Sequence, residues 1–272
     1  MSITADLHTH SHHSADSTAS MESMVEAAIR SGLKEICFTE HYDCGYPVSE
    51  EAPEGTWDLN TDSYLYELLH LRDVYKDHIK ILFGVELGLS PDAVRTYLQY
   101  VRGFDLDYVI GSIHLIGGKD PYYRGNFADM SDEDLYRLYF KETLVNIRKF
   151  SNFDSLGHLD YIVRYGESKD RDYSYDKYKD VIDPILEYLL ENEKGLEVNS
   201  AGLRHGLAYP NPCKDIIQRY HDLGGELITI GSDAHKPEDV AKDFDVIASL
   251  LTDCGFRYYV TYENRLPEYH RI

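Results

Sequence analysis

Cysteine, positive charge and long apolar runs are all scarce in this chain. Its four cysteines, Cys37, Cys44, Cys213 and Cys254, are scattered over 272 residues with no Cys-x-x-Cys spacing. That pattern argues against a disulfide framework or a zinc finger and fits reduced thiols in a cytosolic protein. No stretch of about 18 apolar residues is present, so nothing reads as a membrane span. The amino terminus has no basic stretch leading into an apolar one, and so no signal-peptide pattern. Lys and Arg number 27 against 48 Asp and Glu, a formal net charge of -21. Such a surface repels phosphate backbones, so nucleic acid is not an expected partner. Divalent cations gathered at one place would offset this charge locally and admit a small anion.

The hydrophobic fraction is 43%, enough for a sizeable core, and no Gly/Pro/Ser-rich linker divides the sequence. One domain over residues 1–272 is expected. The 24 tyrosines suit packing over a core and carry no assigned chemistry as a group. Along the chain, short β-branched runs alternate with longer amphipathic segments. Strands are expected at residues 3–7, in "EICFTEH", "KILFGVEL", "DYVIGSIH", "FDSLGHLD", "GLEVNSAG", "ELITIGSDAH" and "FRYYVTY". Helices are expected at 21–31, capped by Ser20, near 62–78, and in "PDAVRTYLQYV", opened by Pro91. Further helices are "SDEDLYRLYFKETLVNIRKF", "YDKYKDVIDPILEYLLENE" with a bend at Pro184, "NPCKDIIQRYHDLG" and "KPEDVAKDFDVIASLLTDCG". Seven or eight such units in this length predict an α/β fold with a parallel sheet, nearer a (β/α) barrel than an open sheet.

The stretch "DLHTHSHHSAD" at residues 6–16 holds four histidines and two aspartates. It could be an exposed tail, a tag remnant or the first strand of a metal site. Its neighbours decide. His8 and His10 fall at the carboxyl end of the first strand, His41 at that of the second, Glu86 of the third and His114 of the fourth. His158, Asn199, and the pair Asp233 and His235 end the fifth, sixth and seventh. Catalytic groups gather on this edge in barrels and open sheets alike. Histidine and carboxylate suit borderline divalent metals. Residues i and i+2 of a strand share a side roughly 7 Å apart. His8 with His10, Asp233 with His235, and His158 with Asp160 are therefore read as inward-facing pairs. A lone His-x-His is usually incidental, and a single strand-end histidine is usually a rim or core residue. Six of thirteen histidines on five strand ends would require that accident five times.

The set "DLHTHSHHSAD", "TEH", "GVELG", "GSIH", "GHLD" and "GSDAH" resembles the polymerase and histidinol phosphatase (PHP) family across nearly the whole chain. "EVNSAGLRHG" and "DYIVRYG" look most like its histidinol-phosphate phosphatases. The resemblance implies a distorted (β/α)7 barrel with three divalent metal ions, zinc, iron or manganese. His8, His10, Glu86 and Asp233 would hold one. Glu86 would bridge to a second, completed by His114 and His158. Asp16, His41 and His235 would take the third, with His12 and His13 as rivals to Asp16. The implied activity is hydrolysis of a phosphate monoester, L-histidinol phosphate, in histidine biosynthesis. Water acidified between cations would attack phosphorus in line. Arg164 and Arg204 are candidates to bind the non-bridging oxygens, since guanidinium forks fit phosphate. Asp160 is a candidate proton donor, amine partner or brace for a ligand histidine. Asn199, Ser200 and His205 are candidate substrate contacts. Another phosphoesterase of the family, acting on a nucleotide or other small phosphate ester, is the first rival. An amidohydrolase is the second, though it would favour a strand-end lysine, and a non-catalytic metal-binding domain is the third. Oligomeric state is not legible.

Overall fold

The computed structural model describes residues 3–272. Seven parallel strand positions curl into a nearly closed barrel. In chain order the elements are β1 (Ala5–Thr9), α1 (Met21–Arg30), β2 (Glu35–Phe38), β3 (His41–Tyr42), α2 (Thr61–Tyr75), β4 (Lys80–Gly88), α3 (Val94–Gly103), β5 (Tyr108–Ser112) and α4 (Asp132–Lys149). They continue as β6 (Ser155–Leu156), α5 (Tyr175–Glu191), β7 (Gly195–Asn199), α6 (Ala201–Arg204), α7 (Lys214–Asp222), β8 (Ile228–Gly231), α8 (Phe244–Asp253), β9 (Tyr258–Glu263) and β10 (Leu266–Arg271). The ladder runs β1-β2-β4-β5-β6-β7-β8. β3 continues the second position after a break at Thr39 and Glu40, and pairs His41 with Glu86 on β4. β8 meets β1 through a single parallel bridge, Thr9 to Ala234. The distorted (β/α)7 barrel expected from the sequence is the architecture found.

Local chemistry explains most elements. β4 is buried along all but its first residue, as expected where helices cover one face of a strand and a filled barrel the other. Ser20 caps α1 by accepting from Ser23 N, with Glu22 in the first turn and Arg30 in the last. Ser131 caps α4 in the same way, and α4 carries three acids in its first turn and two bases in its last.

Four expectations need correction. α3 starts at Val94, because residues 91–93 form a turn instead of a first helical turn. The helix expected from Lys236 onward is split: Pro237–Asp239 is one 3-10 turn, and Asp243 at φ 63° breaks the chain before α8. The fifth strand is only two residues long. At Gly157 a Cβ would come within 2.3 Å of Ser112 Oγ, and the backbone leaves the sheet there. The last strand does not join the barrel. β9 pairs antiparallel with β10, and this hairpin covers the amino ends of the barrel strands. Its Asn264 N donates to Asp107 just before β5, Arg265 pairs with Asp154 just before β6, and Tyr259 OH accepts from Thr4 N just before β1. The carboxyl ends are left open.

Candidate metal centre

The carboxylate of Glu86, fully buried at the inner side of β4, is the hub. Its Oε1 lies 2.9 Å from His158 Nε2 and 3.2 Å from His114 Nε2. Its Oε2 lies 3.0 Å from His41 Nδ1, 3.1 Å from His8 Nε2 and 3.5 Å from His10 Nε2. Asp233 Oδ1 stands 3.7 Å from His8 Nε2 and 3.5 Å from His10 Nε2. On the outer side, Asp16 Oδ2 is 3.2 Å from His235 Nε2 and 3.5 Å from His41 Nε2. All nine ligand candidates are thus brought together.

They fall into overlapping sets whose donor atoms lie within 4.8 Å of one another: His8, His10 and Asp233; His8, Glu86 and His158; His41, Glu86 and His114; His10, His41 and His235. His41 is shared more widely than expected, since its two nitrogens face different neighbours. Asp233 and His235 converge by a route other than strand alternation. β8 ends at Gly231, and Asp233 sits at φ 55°, a left-handed conformation that few residues other than glycine, asparagine and aspartate adopt. His158 and Asp160 likewise lie beyond β6, so the shared-face argument fails for them.

Does this cage suit cations? Nε2 of His8 and His10, Nδ1 of His41 and Oε2 of Glu86 are buried without a hydrogen-bond partner. The close approaches among them do not have hydrogen-bonding geometry. Buried polar atoms are rarely left so, and lone pairs converging on one spot are what a cation satisfies. Electrostatics agree. Burial would lower the pKa of His8, His41 and His114, yet facing carboxylates raise it, for His114 to about 10. Burial would raise the pKa of Glu86 and Asp233, yet facing imidazoles hold both well below the usual carboxylate range. Carboxylate charge that draws protons this strongly draws metal ions also.

Sequence reasoning missed the residues that hold these candidate ligands in place. Glu197, an inward-facing acid on β7, accepts from His8 Nδ1 at 2.5 Å and from His158 N at 2.8 Å. Asp43 Oδ1 lies 2.7 Å from His114 Nδ1. Ser14 Oγ lies 3.1 Å from His10 Nδ1, accepts from His41 N, and donates to Glu40 at 2.5 Å. Burial pushes the Glu40 carboxyl up to about 7 against the hydrogen bonds from Ser11 and Ser14. Such partners fix which ring nitrogen is free for a metal. The available signal was an acid inside an apolar strand ("GLEVN") and acids flanking His41.

The cage forms the floor of a pocket of about 720 Å³. Arg164, Arg204 and His205 line it. Arg164 Nε donates to Asn211 Oδ1 at 2.8 Å, and its NH1 is 3.5 Å from Asp233 Oδ2. Arg204 donates to the carbonyls of Ser232 and Asp233 at 2.8 and 3.0 Å. Desolvation in the pocket, with Arg164 nearby, holds the His205 imidazole down to about 4, so it is neutral at pH 7. Three other candidates are buried and do not line this pocket. Asn199 is fully buried and bonds Ala201 N and Glu197. Ser200 is buried as well. Asp160 accepts from Asn211 Nδ2 and Cys213 N, and burial pushes it up to about 6. It meets the pocket only through the relay Asp160–Asn211–Arg164. His12 and His13 turn to Glu67, away from the cage.

The PHP domain family matches residues 6–201. This chain belongs to the PHP family. A Clostridium acetobutylicum protein named "Probable histidinol-phosphatase" is 32% identical over 97% of this chain and 98% of its own length. The histidinol-phosphatase of Lactococcus lactis is 32% identical over 94% of this chain and 93% of its own. A crystal structure of the Lactococcus lactis histidinol phosphate phosphatase, complexed with zinc, L-histidinol and phosphate, superposes at a TM-score of 0.88. It is 31% identical and covers 97% of this PHP chain and 98% of the other. Among the described residues, no helix is long and apolar enough to cross a membrane.

Proposed function

We propose that this PHP protein is a metal-dependent phosphatase that converts L-histidinol phosphate to L-histidinol and phosphate in histidine biosynthesis. The observation that carries the reading is the coincidence of two things. One is full-length similarity to a phosphatase crystallised with zinc, L-histidinol and phosphate. The other is this chain's own cage of buried, partnerless nitrogen and oxygen atoms at the floor of a pocket.

Three divalent cations fit the donor sets, with zinc the first candidate. His8, His10, Glu86 and Asp233 would hold one; Glu86, His114 and His158 a second; Asp16, His41 and His235 a third. When bound, these cations supply Lewis acidity and an acidified water for attack on phosphorus. The chain's own part is to bind and orient. Arg164 offers the guanidinium edge not engaged by Asn211 to the non-bridging oxygens. Arg204 grips the backbone at Ser232 and Asp233, and so fixes Asp233 while adding positive charge to the rim. Asp160 and Asn211 orient Arg164, and Asn199, through Glu197, steadies His8. His205 stays uncharged, able to exchange a hydrogen bond with a leaving alcohol.

We also infer one functional domain over residues 1–272, since the turn after β8 supplies Asp233 and His235 and the final hairpin seals the barrel base. A net charge of -21 disfavours nucleic acid, and four unpaired cysteines suit a cytoplasmic setting. The test is phosphate release from L-histidinol phosphate by protein stripped of metal and then reloaded, against a panel of monoesters and diesters. Specific, metal-restored turnover of L-histidinol phosphate is expected. Preference for a diester or nucleotide would overturn the substrate assignment, and amine release without phosphate would overturn the chemistry.

A further inference from the structure

Two chains of aromatic rings leave the metal cage and meet at one carboxylate. The first runs from His41 to Trp57, edge to face at 5.6 Å, and from Trp57 to Tyr46 at 4.8 Å. The second runs from His158 to Tyr161 at 4.8 Å, to Tyr165 at 5.0 Å and to Tyr122 at 6.2 Å. Tyr46 OH donates to Asp120 Oδ2 at 2.5 Å, and Tyr122 N donates to Asp120 Oδ1 at 2.7 Å. Asp120 therefore closes the aromatic ring of the pocket at the end away from the cage, and it lines that pocket.

Its charge is unusual for this site. The pocket's other acids are spoken for: Asp16 and Asp233 face the histidines, Asp43 bonds His114, and Asp239 lies near Arg204 and Lys242. Among the described residues, no Lys, Arg or His side chain lies within 4 Å of the Asp120 carboxylate. Its two hydrogen bonds are donated by neutral groups, which hold it in place without cancelling its charge. An uncompensated carboxylate where two runs of aromatic rings meet is a seat for a cation, because its charge attracts one and nearby ring faces add to that attraction.

We propose that Asp120 is the specificity-determining residue for the amine-bearing end of the substrate, accepting an aliphatic ammonium group while the phosphate lies at the cage. This rests on the phosphate-monoester reading above. An aliphatic ammonium remains charged at neutral pH, whereas an imidazole with an ordinary pKa near 6.5 is mostly neutral. The permanent cation is thus the part that a fixed carboxylate selects. A flat imidazole is left to the faces of Trp57 and the tyrosines.

The test is a cycle of four kcat/KM measurements. L-histidinol phosphate and its deaminated analogue, 3-(imidazol-4-yl)propyl phosphate, are each compared with wild-type protein and Asp120→Asn. Removing the amine should cost the wild type at least tenfold, mostly through KM, and should cost Asp120→Asn less than twofold. Activity of Asp120→Asn on the deaminated analogue reports that the variant is folded and metal-loaded. Tyr46→Phe, which keeps the carboxylate but frees one oxygen, should show an intermediate loss. If deleting the amine costs both proteins the same factor, the assignment of Asp120 is overturned even though the enzyme remains a phosphatase. If the wild type prefers neither compound over simple alkyl phosphates, the histidinol phosphate reading fails. In that event the same cycle run with 2-aminoethyl and ethyl phosphate still decides Asp120.

Discussion

Replacing Glu197 by Gln should strip metal from the cage without touching a ligand. Glu197 is 1% exposed and uses both oxygens. Oε1 accepts from His8 Nδ1 at 2.5 Å, and Oε2 accepts from His158 N at 2.8 Å and Asn199 Nδ2 at 3.2 Å. A carboxylate satisfies all three donors. An amide cannot, because one of its ends is itself a donor. If the amide oxygen faces His8, its NH2 meets two donors, His158 N and Asn199 Nδ2. If it flips, its NH2 meets His8 Nδ1 and favours the tautomer with hydrogen on Nε2, the nitrogen aimed at Glu86 and Asp233. Either orientation loses at least one hydrogen bond to a charged group, about 1.5–3 kcal/mol. At 1.4 kcal/mol per factor of ten, that is roughly tenfold to hundredfold in affinity for the cation His8 binds. The assay is metal content by mass spectrometry after equilibration in graded chelator buffers. The variant should release one equivalent at a free-metal concentration tenfold to hundredfold above that of the wild type. Added metal should restore its phosphatase rate. Wild-type metal affinity in Glu197→Gln would refute the claim that this acid sets the His8 tautomer.

Three further outcomes are expected. Arg164→Ala should lower kcat/KM by about tenfold to hundredfold while metal content stays constant, and Arg164→Lys should not rescue it, because a single ammonium cannot reach Asn211 and a phosphate together; unchanged kinetics would remove Arg164 from the site. Chelation should lower Tm by at least about 5 °C, since each cation held at a hundredfold over its Kd contributes about 2.7 kcal/mol; amide exchange at His10 and Asp233 should quicken at the same time, and a chelated protein with unaltered Tm would contradict the linkage. Gly231→Ala places a Cβ 2.3 Å from His8 Cβ and 2.5 Å from Glu197 Oε1; crowding of about 1–3 kcal/mol should appear in the denaturation midpoint together with metal loss, and a fully stable, metal-replete variant would show that this contact yields freely.

How far the sequence reaches depends on the kind of geometry involved. His8 and His10 were legible because His8 lies in β1 and His10 one residue past its end, and both rings turn to Glu86 and Asp233. Glu86 was legible because it interrupts a long apolar strand near its carboxyl end. Asp233 and His235 reach the cage by a geometry other than the one expected: they follow β8, and a left-handed turn brings them in. Turns also hide what strands reveal. Position after a strand placed Asp160, Asn199 and Ser200 beside the site, but all three are buried: Cys213 N donates to Asp160, Ala201 N donates to Asn199, and Ser200 Oγ has no hydrogen-bond partner. The braces Glu197, Asp43 and Glu40 went unread for another reason. A carboxylate among apolar neighbours shows that some partner exists, but its partners lie on other strands. His8 is 189 residues away from Glu197.

The barrel seam and the candidate metal centre are built from the same residues. β1 and β8 share one bridge where other neighbours share a ladder. What joins them is Asp233 N donating to His8 O at 2.8 Å, His10 N to Ala234 O at 2.9 Å, and Ser232 N to Asp6 Oδ1 at 2.9 Å. Arg204 clasps the carbonyls of Ser232 and Asp233 from the β8 side. Any opening of this seam pulls Asp233 away from His8 and His10. A cation held by those three residues therefore cross-links the first and last barrel strands where backbone pairing is sparsest. Binding free energy at that position is also free energy of closure, so affinity and barrel integrity must change together. That coupling gives a physical reason for a cage assembled from six strand ends. No single strand or hairpin in the chain could hold the cations alone, so the site exists only in the closed fold.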